Sequence, residues 1–451
     1  MVLGLGDTGL SMARWLARRK AQVRVADSRA APPQAPTLAR ELPQVRLATG
    51  AFNDKTFSGA DLIAISPGID RREPVIAGAA RRGVPVVGDV ELFAQALPES
   101  RARAARVLAV TGSNGKSTVT AMTGGMCRAA GRETVVAGNI GVPVLGALTA
   151  IEEGAATPEV FVLELSSFQL ESTTSLAPDA ATVLNVSEDH LDRYDGMADY
   201  AAAKARVFAG NGVQVLNRDD RLTLDMARAG RTLRTFGRTA PRGESEWGIA
   251  SNGAAMLAHG AHRLMAVEEL PLAGLHNAAN ALAAHALASS IGLADEPLAR
   301  ALREFRGLPH RMQKVADFAG VAFFDDSKGT NVGATVAALS GMDRKAVLIA
   351  GGDGKGQDFA PLAPVVREKA RAVVLIGRDA ALIEKALAGS GVSPIHAGDM
   401  QGAVAAAFGA ARPGDAVLLS PACASYDMFR DYVQRAEVFA AAVRDLERKR
   451  S

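Results

Sequence analysis

A glycine-rich segment with the residue types of a phosphate-binding loop lies at Thr111–Thr118, with the sequence Thr-Gly-Ser-Asn-Gly-Lys-Ser-Thr. It follows the apolar run Val107–Val110, which predicts a strand, and a helix is expected to begin within it. Glycines let backbone N–H groups face phosphate oxygens, and a helix N-terminus adds a positive dipole end. Lys116 can reach the terminal phosphates, while Ser117 or Thr118 can offer a hydroxyl to Mg²⁺. The structural alternative is a tight turn with an incidental lysine.

A second glycine turn lies at the start of the chain, in Gly4–Gly9. Its spacing fits the dinucleotide fingerprint, and Asp27 follows at about the distance of an acid that meets a ribose. Taken alone, this turn could serve only packing, or it could belong to a nicotinamide-dependent oxidoreductase. An oxidoreductase does not explain a separate phosphate loop at Thr111–Thr118.

Three further side chains have types that suit chemistry beside bound phosphate. Glu164 ends the apolar run Val160–Leu163, where a carboxylate at the end of a parallel strand can hold Mg²⁺. His190 also follows a predicted strand, and Lys204 lies in an alanine-rich helical stretch with few competing charges. A core histidine, a surface lysine and a surface carboxylate are the structural alternatives for these residues.

The elements that must position these residues are short apolar runs alternating with longer amphipathic stretches. This alternation predicts an α/β fold built from βαβ units with mostly parallel sheets, covered by helices on both faces. Apolar residues make up 48% of the 451 residues and the net charge is only +3, which argues against a nucleic-acid-binding face. No apolar run is long enough to cross a bilayer, and two distant cysteines argue against a disulfide framework. We therefore expect a cytoplasmic protein.

Two breaks in the pattern suggest domain boundaries. The polar segment Pro98–Arg103 precedes a new strand-plus-loop unit, and Gly307–Arg311 separates an alanine-rich helix from a further series of strands. The sequence thus predicts three domains, near 1–100, 101–307 and 308–451. The region Arg228–Arg263 mixes Gly, Arg and Ser with short β-like pieces and is predicted to be rich in strands.

Seven motifs follow one another along the chain: Thr111–Thr118, Gly138–Gly141, Glu164–Gln169, Glu188–Tyr194, His276–Asn280, Asp325–Asn331 and Gly351–Lys355. As an ordered set they resemble the Mur ligases of peptidoglycan precursor synthesis. The phosphate loop is shorter than the general form, with two residues between its glycines rather than four, and this compact spacing is the Mur form. The ending Ser420–Phe429 looks specifically like the D-glutamate-adding branch of that family.

The resemblance implies a Rossmann-like UDP-binding domain, a central P-loop ATPase domain and a C-terminal Rossmann-like domain that binds the amino acid. It also implies that ATP phosphorylates the carboxylate of UDP-N-acetylmuramoyl-L-alanine. The D-glutamate amine then displaces phosphate from the resulting acyl phosphate. ATP and two Mg²⁺ ions are the implied cofactors, no nucleic acid or membrane is involved, and a monomer is expected.

The resemblance also assigns residues to sites. Lys116, Glu164, His190, Lys204 and Lys328 are implied to be catalytic, with Lys204 carbamylated so that it becomes an anionic ligand for the second Mg²⁺. The metal ligands implied are Ser117, Thr118, Glu164, His190 and Lys204. The ATP contacts implied are Gly112, Asn114, Gly115, Lys116, Ser117, Thr118, Asn277, Asn280, Arg311 and Asp326. The substrate contacts implied are Thr8, Asp27, Ser28, Ser66 and Gly68 for UDP, Asn139 for the muramoyl group, and Thr330, Lys355, Ser425 and Tyr432 for glutamate and acyl transfer.

Two positions depart from the family pattern. Asp7 stands where a neutral residue is usual beside the diphosphate turn, so its charge is expected to point away from phosphate. Tyr432 stands where phenylalanine is expected against the glutamate, and an aromatic wall is retained. The alternatives left open are an alanine-adding, diaminopimelate-adding or folylpolyglutamate ligase, a nicotinamide-dependent oxidoreductase, and a non-catalytic nucleotide-binding regulator.

Overall fold

The structure, a computed structural model, describes residues 1–272 and 274–450, and within these residues the strands form three sheets. The described chain divides into two compact units. The first comprises Met1–Asn185, Ala198–Met265 and Ala281–Leu302. The second comprises Val186–Met197, Ala266–Asn280 and the chain from Arg303 onward. In the part of the chain so described, every helix is too short or too polar to cross a bilayer.

The first sheet is parallel throughout, with the strand order β3-β2-β1-β4-β5. Leu3, Ile63 and Ile65 of its central strands are buried in one apolar cluster with Ile76 of a covering helix, as expected for strands formed by bare apolar runs. The strands are β1 (Val2–Leu3), β2 (Arg24–Asp27), β3 (Arg46–Thr49), β4 (Ile63–Ile65) and β5 (Val86–Val87), and the helices are α1 (Asp7–Arg18), α2 (Ala35–Glu41), α3 (Pro74–Arg81) and α4 (Asp89–Ala96).

The second sheet has the strand order β14-β13-β12-β11-β10-β9-β6-β8-β7. It is parallel from β7 to β12, and β13 pairs antiparallel with β12. The strands are β6 (Arg106–Thr111), β7 (Thr134–Gly138), β8 (Val160–Glu164), β9 (Ala180–Val183), β10 (Val213–Asn217), β11 (Leu233–Phe236), β12 (Glu246–Asn252), β13 (Ala254–His259) and β14 (His262–Ala266), and the helices are α5 (Lys116–Ala129), α6 (Val144–Glu152), α7 (Ser167–Glu171), α8 (Met197–Ala205), α9 (Arg221–Leu224), α10 (Leu275–Ser289) and α11 (Asp295–Glu304).

Helix α4 ties the first sheet to the second within the first unit. The Glu91 carboxylate accepts hydrogen bonds from the backbone N–H groups of Thr174 and Ser175, at 2.6 and 2.8 Å, and from both of their hydroxyls. Gly88 lies so close to Ser172 that a Cβ at position 88 would be 2.4 Å from the Ser172 hydroxyl oxygen. These hydrogen bonds to an ionised side chain and this close approach join α4 to the segment that holds Ser172, Thr174 and Ser175.

The third sheet has the strand order β15-β16-β20-β17-β18-β19 and is parallel except for the antiparallel pair β15 and β16. Apolar clusters cover both of its faces. The strands are β15 (Gln313–Phe318), β16 (Val321–Asp325), β17 (Ala346–Gly351), β18 (Ala370–Ile376), β19 (Ile395–His396) and β20 (Ala416–Leu419), and the helices are α12 (Val332–Ser340), α13 (Leu362–Lys369), α14 (Ala380–Leu387), α15 (Met400–Ala410) and α16 (Tyr432–Arg450).

The predicted fold class, α/β with mostly parallel sheets, is confirmed. The region Arg228–Arg263 does contain strands, as predicted, and they extend the second sheet. The two cysteines are both free and buried, Cys127 in α5 and Cys423 after β20. Burial raises the pKa of each thiol to about 12. The three predicted domain ranges each contain one sheet, and the boundaries themselves stay a prediction.

Candidate active site

The predicted phosphate loop connects β6 to α5, as its sequence indicated. Helix α5 begins at Lys116, directly after Gly115, whose φ of +83° is a conformation that favours glycine. Gly112 has a φ of +146°, and a Cβ there would lie 3.0 Å from the Leu184 Cβ. Both glycines are therefore needed for the loop to turn beside the neighbouring strand β9.

Asn185, which the sequence did not single out, holds this loop in place. Its side-chain oxygen accepts from the backbone N–H of Asn114 at 2.8 Å, and its side-chain amide donates to the Asn114 carbonyl at 3.0 Å. The Ser113 N–H donates to the Asn185 backbone carbonyl at 2.9 Å. Asn185 follows β9, the parallel neighbour of β6, and only this adjacency brings it to the loop.

Lys116 and Lys204 both reach the carbonyl of Gly112 within the loop. Each ammonium nitrogen lies 2.9 Å from that oxygen, and Lys116 also donates to the Ser113 carbonyl at 2.8 Å. Lys204 is only 1% exposed, and its ammonium lies 4.3 Å from the centre of the Tyr200 ring. The structure thus brings the lysine predicted to be carbamylated to the phosphate loop.

Glu164 lies at the end of β8, beside the end of β7. The Asn139 side-chain amide donates to Glu164 Oε1 at 2.7 Å, and the Asn139 backbone N–H donates to the Glu164 carbonyl at 2.8 Å. Glu164 is 1% exposed, and its Oε2 has no hydrogen-bond partner among the described residues. A buried carboxylate oxygen without a donor fits a divalent cation, because it is costly to desolvate unpaired.

The other predicted metal ligands divide between the two units. Ser117 and Thr118 are buried at the start of α5, and they belong to the first unit with Glu164 and Lys204. His190 belongs to the second unit, where its Nε2 lies 3.6 Å from Asp189 Oδ2. In residues 1–272 and 274–450, no group of three or more His, Cys, Asp or Glu side chains could by itself hold a metal ion. Any metal site here would therefore need ligands beyond these side-chain types, and the Ser117 and Thr118 hydroxyls are of a suitable kind.

A cavity of about 490 Å³ opens at the carboxyl ends of the first sheet. Its wall contains every residue that the sequence assigned to the UDP and muramoyl groups, and Asn139 is the one that comes from the second sheet. Cavities at such strand ends are the usual ligand sites of open α/β sheets. The six residues are Thr8, Asp27, Ser28, Ser66, Gly68 and Asn139.

Two acids shape the charge of this cavity. Burial would raise the pKa of Asp27, but hydrogen bonds from the Arg29 side chain and from the Arg29 and Leu5 backbone outweigh it and lower the pKa to about 2. Asp27 is therefore ionised at neutral pH. Asp7 also lines the cavity, and its Oδ1 accepts a hydrogen bond from Gln34 at 2.7 Å.

In the second unit, three loops meet where the neighbouring parallel strands β16, β20 and β17 end. The backbone of Asp353 pairs with that of Ala424 in both directions, at 3.0 and 2.8 Å. Ala422 donates to the Gly329 carbonyl at 3.0 Å. A Cβ at Gly352 would lie 2.3 Å from the Ala424 carbonyl oxygen, so the loops need glycine to come this close. The predicted residues Lys328, Thr330, Lys355 and Ser425 all lie on these loops.

The side chains predicted for the glutamate end are partly in contact. The Lys328 ammonium lies 5.1 Å from the centre of the Tyr432 ring, within cation–π distance. Lys355 forms an ion pair with Asp189, whose other oxygen accepts from Asn331 at 3.2 Å. The aromatic wall expected from Tyr432 is therefore next to one predicted catalytic lysine.

The remaining residues predicted for ATP also belong to the second unit. Burial raises the pKa of Asp326 to about 7, although a hydrogen bond from Ser420 at 2.7 Å and the charge of Arg311 lower it. Asn280 donates to the Asn277 side chain at 3.4 Å. The pKa of Asp326 thus lies near neutral pH, with burial as its main cause.

Sequence analysis did not identify Arg435 of α16, which contacts the loops that carry Lys328 and Ser425. It is 1% exposed, and it donates to the Ser327 hydroxyl, the Ser327 carbonyl and the Cys423 carbonyl at 3.0, 2.7 and 3.1 Å. Burial lowers its pKa to about 10, so it stays charged at neutral pH. One guanidinium therefore fixes both the Lys328 loop and the Ser425 loop.

Family models match this chain along most of its length. Residues 1–88 match the Mur ligase MurD-like N-terminal domain, 110–288 the Mur ligase middle domain, and 310–423 the Mur ligase glutamate ligase domain. The chain belongs to the Mur ligase family, as the resemblance predicted. Its full-length relatives named UDP-N-acetylmuramoylalanine--D-glutamate ligase include that of Thiobacillus denitrificans, 58% identical with 100% of this chain and 97% of that protein covered. Another, from Methylobacillus flagellatus, is 57% identical with the same coverage.

Solved structures show the same fold at lower identity. MurF ligase from Thermotoga maritima in complex with ADP has a TM-score of 0.62 at 16% identity, with 100% of this chain and 95% of that chain covered. UDP-N-acetylmuramate-alanine ligase MurC from the same organism has a TM-score of 0.61 at 19% identity, with 98% of both chains covered.

Proposed function

We propose that this protein is an ATP-dependent ligase that joins D-glutamate to UDP-N-acetylmuramoyl-L-alanine in peptidoglycan precursor synthesis. The names of the relatives that are more than half identical over the whole chain support the substrates. The structural observation that carries the proposal is the phosphate loop itself, with Lys116 and Lys204 converging on Gly112 beside the buried Glu164 carboxylate.

The reaction needs activation because a carboxylate is a poor electrophile. The alanyl carboxylate attacks the γ-phosphorus of ATP, which releases ADP and forms an acyl phosphate. The glutamate amine then attacks the acyl carbon, loses a proton, and expels phosphate from a tetrahedral intermediate. Catalysis of these steps rests on positioning and on neutralising charge.

The chain's own residues divide this work. Lys116 and the backbone of Gly112, Asn114 and Gly115 would hold the ATP phosphates. Two Mg²⁺ ions, when bound, would neutralise the phosphate charge. The residues proposed to hold them are Ser117, Thr118, Glu164, His190 and carbamylated Lys204.

The residues proposed to bind the UDP-linked substrate, ATP and glutamate lie on different loops. Thr8, Asp27, Ser28, Ser66, Gly68 and Asn139 would bind the UDP-muramoyl part in the cavity. Asn277, Asn280, Arg311 and Asp326 would contact ATP, and Lys328, Thr330, Lys355, Ser425 and Tyr432 would bind glutamate. We place the domain boundaries near residues 100 and 307, and we expect a cytoplasmic monomer.

Phosphate release from ATP tests this proposal. Purified protein is supplied with Mg²⁺, ATP and UDP-N-acetylmuramoyl-L-alanine, and D-glutamate is compared with L-glutamate, L-alanine and diaminopimelate. We expect phosphate release with D-glutamate and with none of the other three amino acids. We also expect this release to be lost in Lys116→Ala. Release that depends on another amino acid would assign a different branch of the family. An absorbance change with a nicotinamide cofactor, or nucleotide binding without substrate-dependent release, would replace the proposal with an oxidoreductase or a regulator.

A further inference from the structure

Asn139 stands between the cavity and the buried Glu164 carboxylate. It is the residue that the second sheet contributes to the cavity wall, and its side chain is exposed there. The same side chain donates to Glu164 Oε1 at 2.7 Å, while its backbone N–H donates to the Glu164 carbonyl at 2.8 Å. Asn139 therefore contacts both the cavity proposed for the UDP-linked substrate and the Glu164 carboxylate proposed to bind Mg²⁺.

The local backbone is built to allow this double contact. Gly138 has a φ of +110°, and a Cβ at this position would lie 2.3 Å from the Glu164 carbonyl oxygen. Strand β7 pairs with β8 so that Gly138 lies opposite Glu164. The absence of a side chain at Gly138 lets the chain turn directly over Glu164 and deliver the Asn139 amide to its carboxylate.

The two carboxylate oxygens of Glu164 are consequently not equivalent. Oε1 has a donor and Oε2 has none among the described residues, although the residue is 1% exposed. A hydrogen bond to one oxygen fixes the rotation of a carboxylate and leaves the other oxygen aimed in a defined direction.

We propose that Asn139 is a positioning residue that orients Glu164 for a divalent cation and couples cation binding to occupancy of the cavity. The inference rests on the proposed metal role of Glu164. A ligand that contacts the exposed Asn139 side chain restricts it, so the carboxylate it holds loses less freedom when the cation binds. Because such coupling is reciprocal, the cation would also tighten binding of the nucleotide-linked substrate.

Binding of Mn²⁺ without ATP tests the orienting role, because no turnover occurs. Free Mn²⁺ is followed by electron paramagnetic resonance in the full-length protein. Asn139→Leu keeps the side-chain size and the backbone hydrogen bond but removes the amide, and we expect Mn²⁺ affinity to fall about tenfold or more. Glu164→Gln removes the proposed cation-binding carboxylate and shows how far Mn²⁺ affinity falls when that carboxylate is lost. Asn211→Leu, the same substitution at an exposed asparagine outside the proposed sites, should bind Mn²⁺ like the unaltered protein.

The same titration repeated with saturating UDP-N-acetylmuramoyl-L-alanine tests the coupling. We expect the substrate to tighten Mn²⁺ binding in the unaltered protein and in Asn211→Leu, and to leave it unchanged in Asn139→Leu. Thermal unfolding of each variant establishes that it is folded.

The outcomes separate the inference from the function on which it rests. If Glu164→Gln weakens Mn²⁺ binding and Asn139→Leu does not, the positioning role is overturned and the metal role of Glu164 stands. If Asn139→Leu binds weakly but still responds to substrate, the coupling is overturned. If Glu164→Gln binds Mn²⁺ as the unaltered protein does, both the metal role and the inference fail, whatever the phosphate-release assay shows.

Discussion

Lys116 and Lys204 donate to the same backbone oxygen, the carbonyl of Gly112, each from 2.9 Å. Their ammonium nitrogens can therefore be no farther apart than twice that distance, and Lys204 is almost fully buried. Two positive charges this close repel each other strongly where water is excluded. Conversion of Lys204 into a carbamate would replace this repulsion with attraction. In that step the ammonium first loses one proton, the neutral amine nitrogen then bonds to the carbon of CO₂, and a second proton leaves the nitrogen, so the side chain changes from a cation to an anion.

Substitution of Lys204 tests the carbamate. We expect Lys204→Ala to lower the rate of phosphate release on the order of a hundredfold or more, because an anionic ligand is lost at the site of charge development. Lys204→Arg keeps the positive charge but cannot form the carbamate, and it should be equally impaired. Acetate or propionate should partly restore Lys204→Ala, and Lys385→Ala on the exposed face of α14 is the matched control. Full activity in either Lys204 variant would exclude the modification.

Removal of Arg435 should affect both stability and glutamate binding. Arg435→Met leaves the Ser327 and Cys423 carbonyls without their buried donor, and we expect a loss of about 2–4 kcal/mol in the free energy of unfolding. The KM for glutamate should rise more than the KM for the UDP-linked substrate, because the loops that it holds carry Lys328 and Ser425. Urea denaturation and steady-state kinetics measure the two effects. Arg444→Met, exposed on the same helix, should match the unaltered protein, and an unchanged glutamate KM in Arg435→Met would contradict the positioning role.

Glu91 should stabilise the first unit in a pH-dependent way. Although burial raises its pKa, hydrogen bonds from Ser175 and Thr174 outweigh it and lower the pKa from 4.5 to about 2. A carboxylate with a depressed pKa stabilises the fold above its unfolded pKa, and this stabilisation disappears as the pH falls toward the folded value. The destabilisation caused by Glu91→Gln should thus be largest at pH 7 and shrink below pH 4.5, as measured by urea unfolding. Glu99→Gln is the exposed control, and a penalty independent of pH would refute this assignment.

Asp89, two residues earlier, should behave in the opposite sense. Burial raises its pKa from 3.8 to about 6, and its Oδ2 has no partner among the described residues. The ionised form is disfavoured in the folded state, so the stability cost of Asp89 grows as the pH rises from 3.8 to about 6 and is fully present above 6. Asp89→Asn should therefore stabilise the protein at pH 8 and have no effect below pH 3.8. Thermal unfolding at the two pH values distinguishes this from a general effect of the substitution, which would appear at both.

The parts of the site that could be predicted from the sequence are those whose residues directly follow a strand. Thr111–Thr118 and Glu164 each follow a buried apolar run, and the carboxyl ends of parallel strands share one edge of a sheet. The six cavity residues were assigned from the family resemblance, and the fold brings them together. Their roles toward ligands stay predictions.

The contacts that the sequence could not predict depend on which strands are neighbours. Asn185 reaches the phosphate loop because β9 lies beside β6, and Asn139 reaches Glu164 because β7 lies beside β8. Arg435 comes from the last helix, where a charged residue would ordinarily be assigned to the surface. Neither periodicity nor spacing along the chain contains this information about order within a sheet.

The strand-rich region Arg228–Arg263 shows the same limit. Its β-like pieces were recognisable, but their attachment to the parallel sheet was not. The Trp247 ring is fully buried, stacks on His259 with centroids 3.9 Å apart, and donates to His285 Nδ1 at 3.1 Å. The anchoring partner lies on α10, well beyond the strands, so local patterns could not reveal it.

Burial of both cysteines makes the protein a ready background for site-specific labelling. Thiols with a pKa of about 12 contain almost no thiolate at neutral pH, and neither side chain is accessible to a reagent. A single reporter cysteine could therefore be placed on an exposed side chain such as Leu382 without first replacing the native ones. An environment-sensitive label on the working enzyme would then require only the added thiol, and the unaltered protein treated with the same reagent would give the background signal.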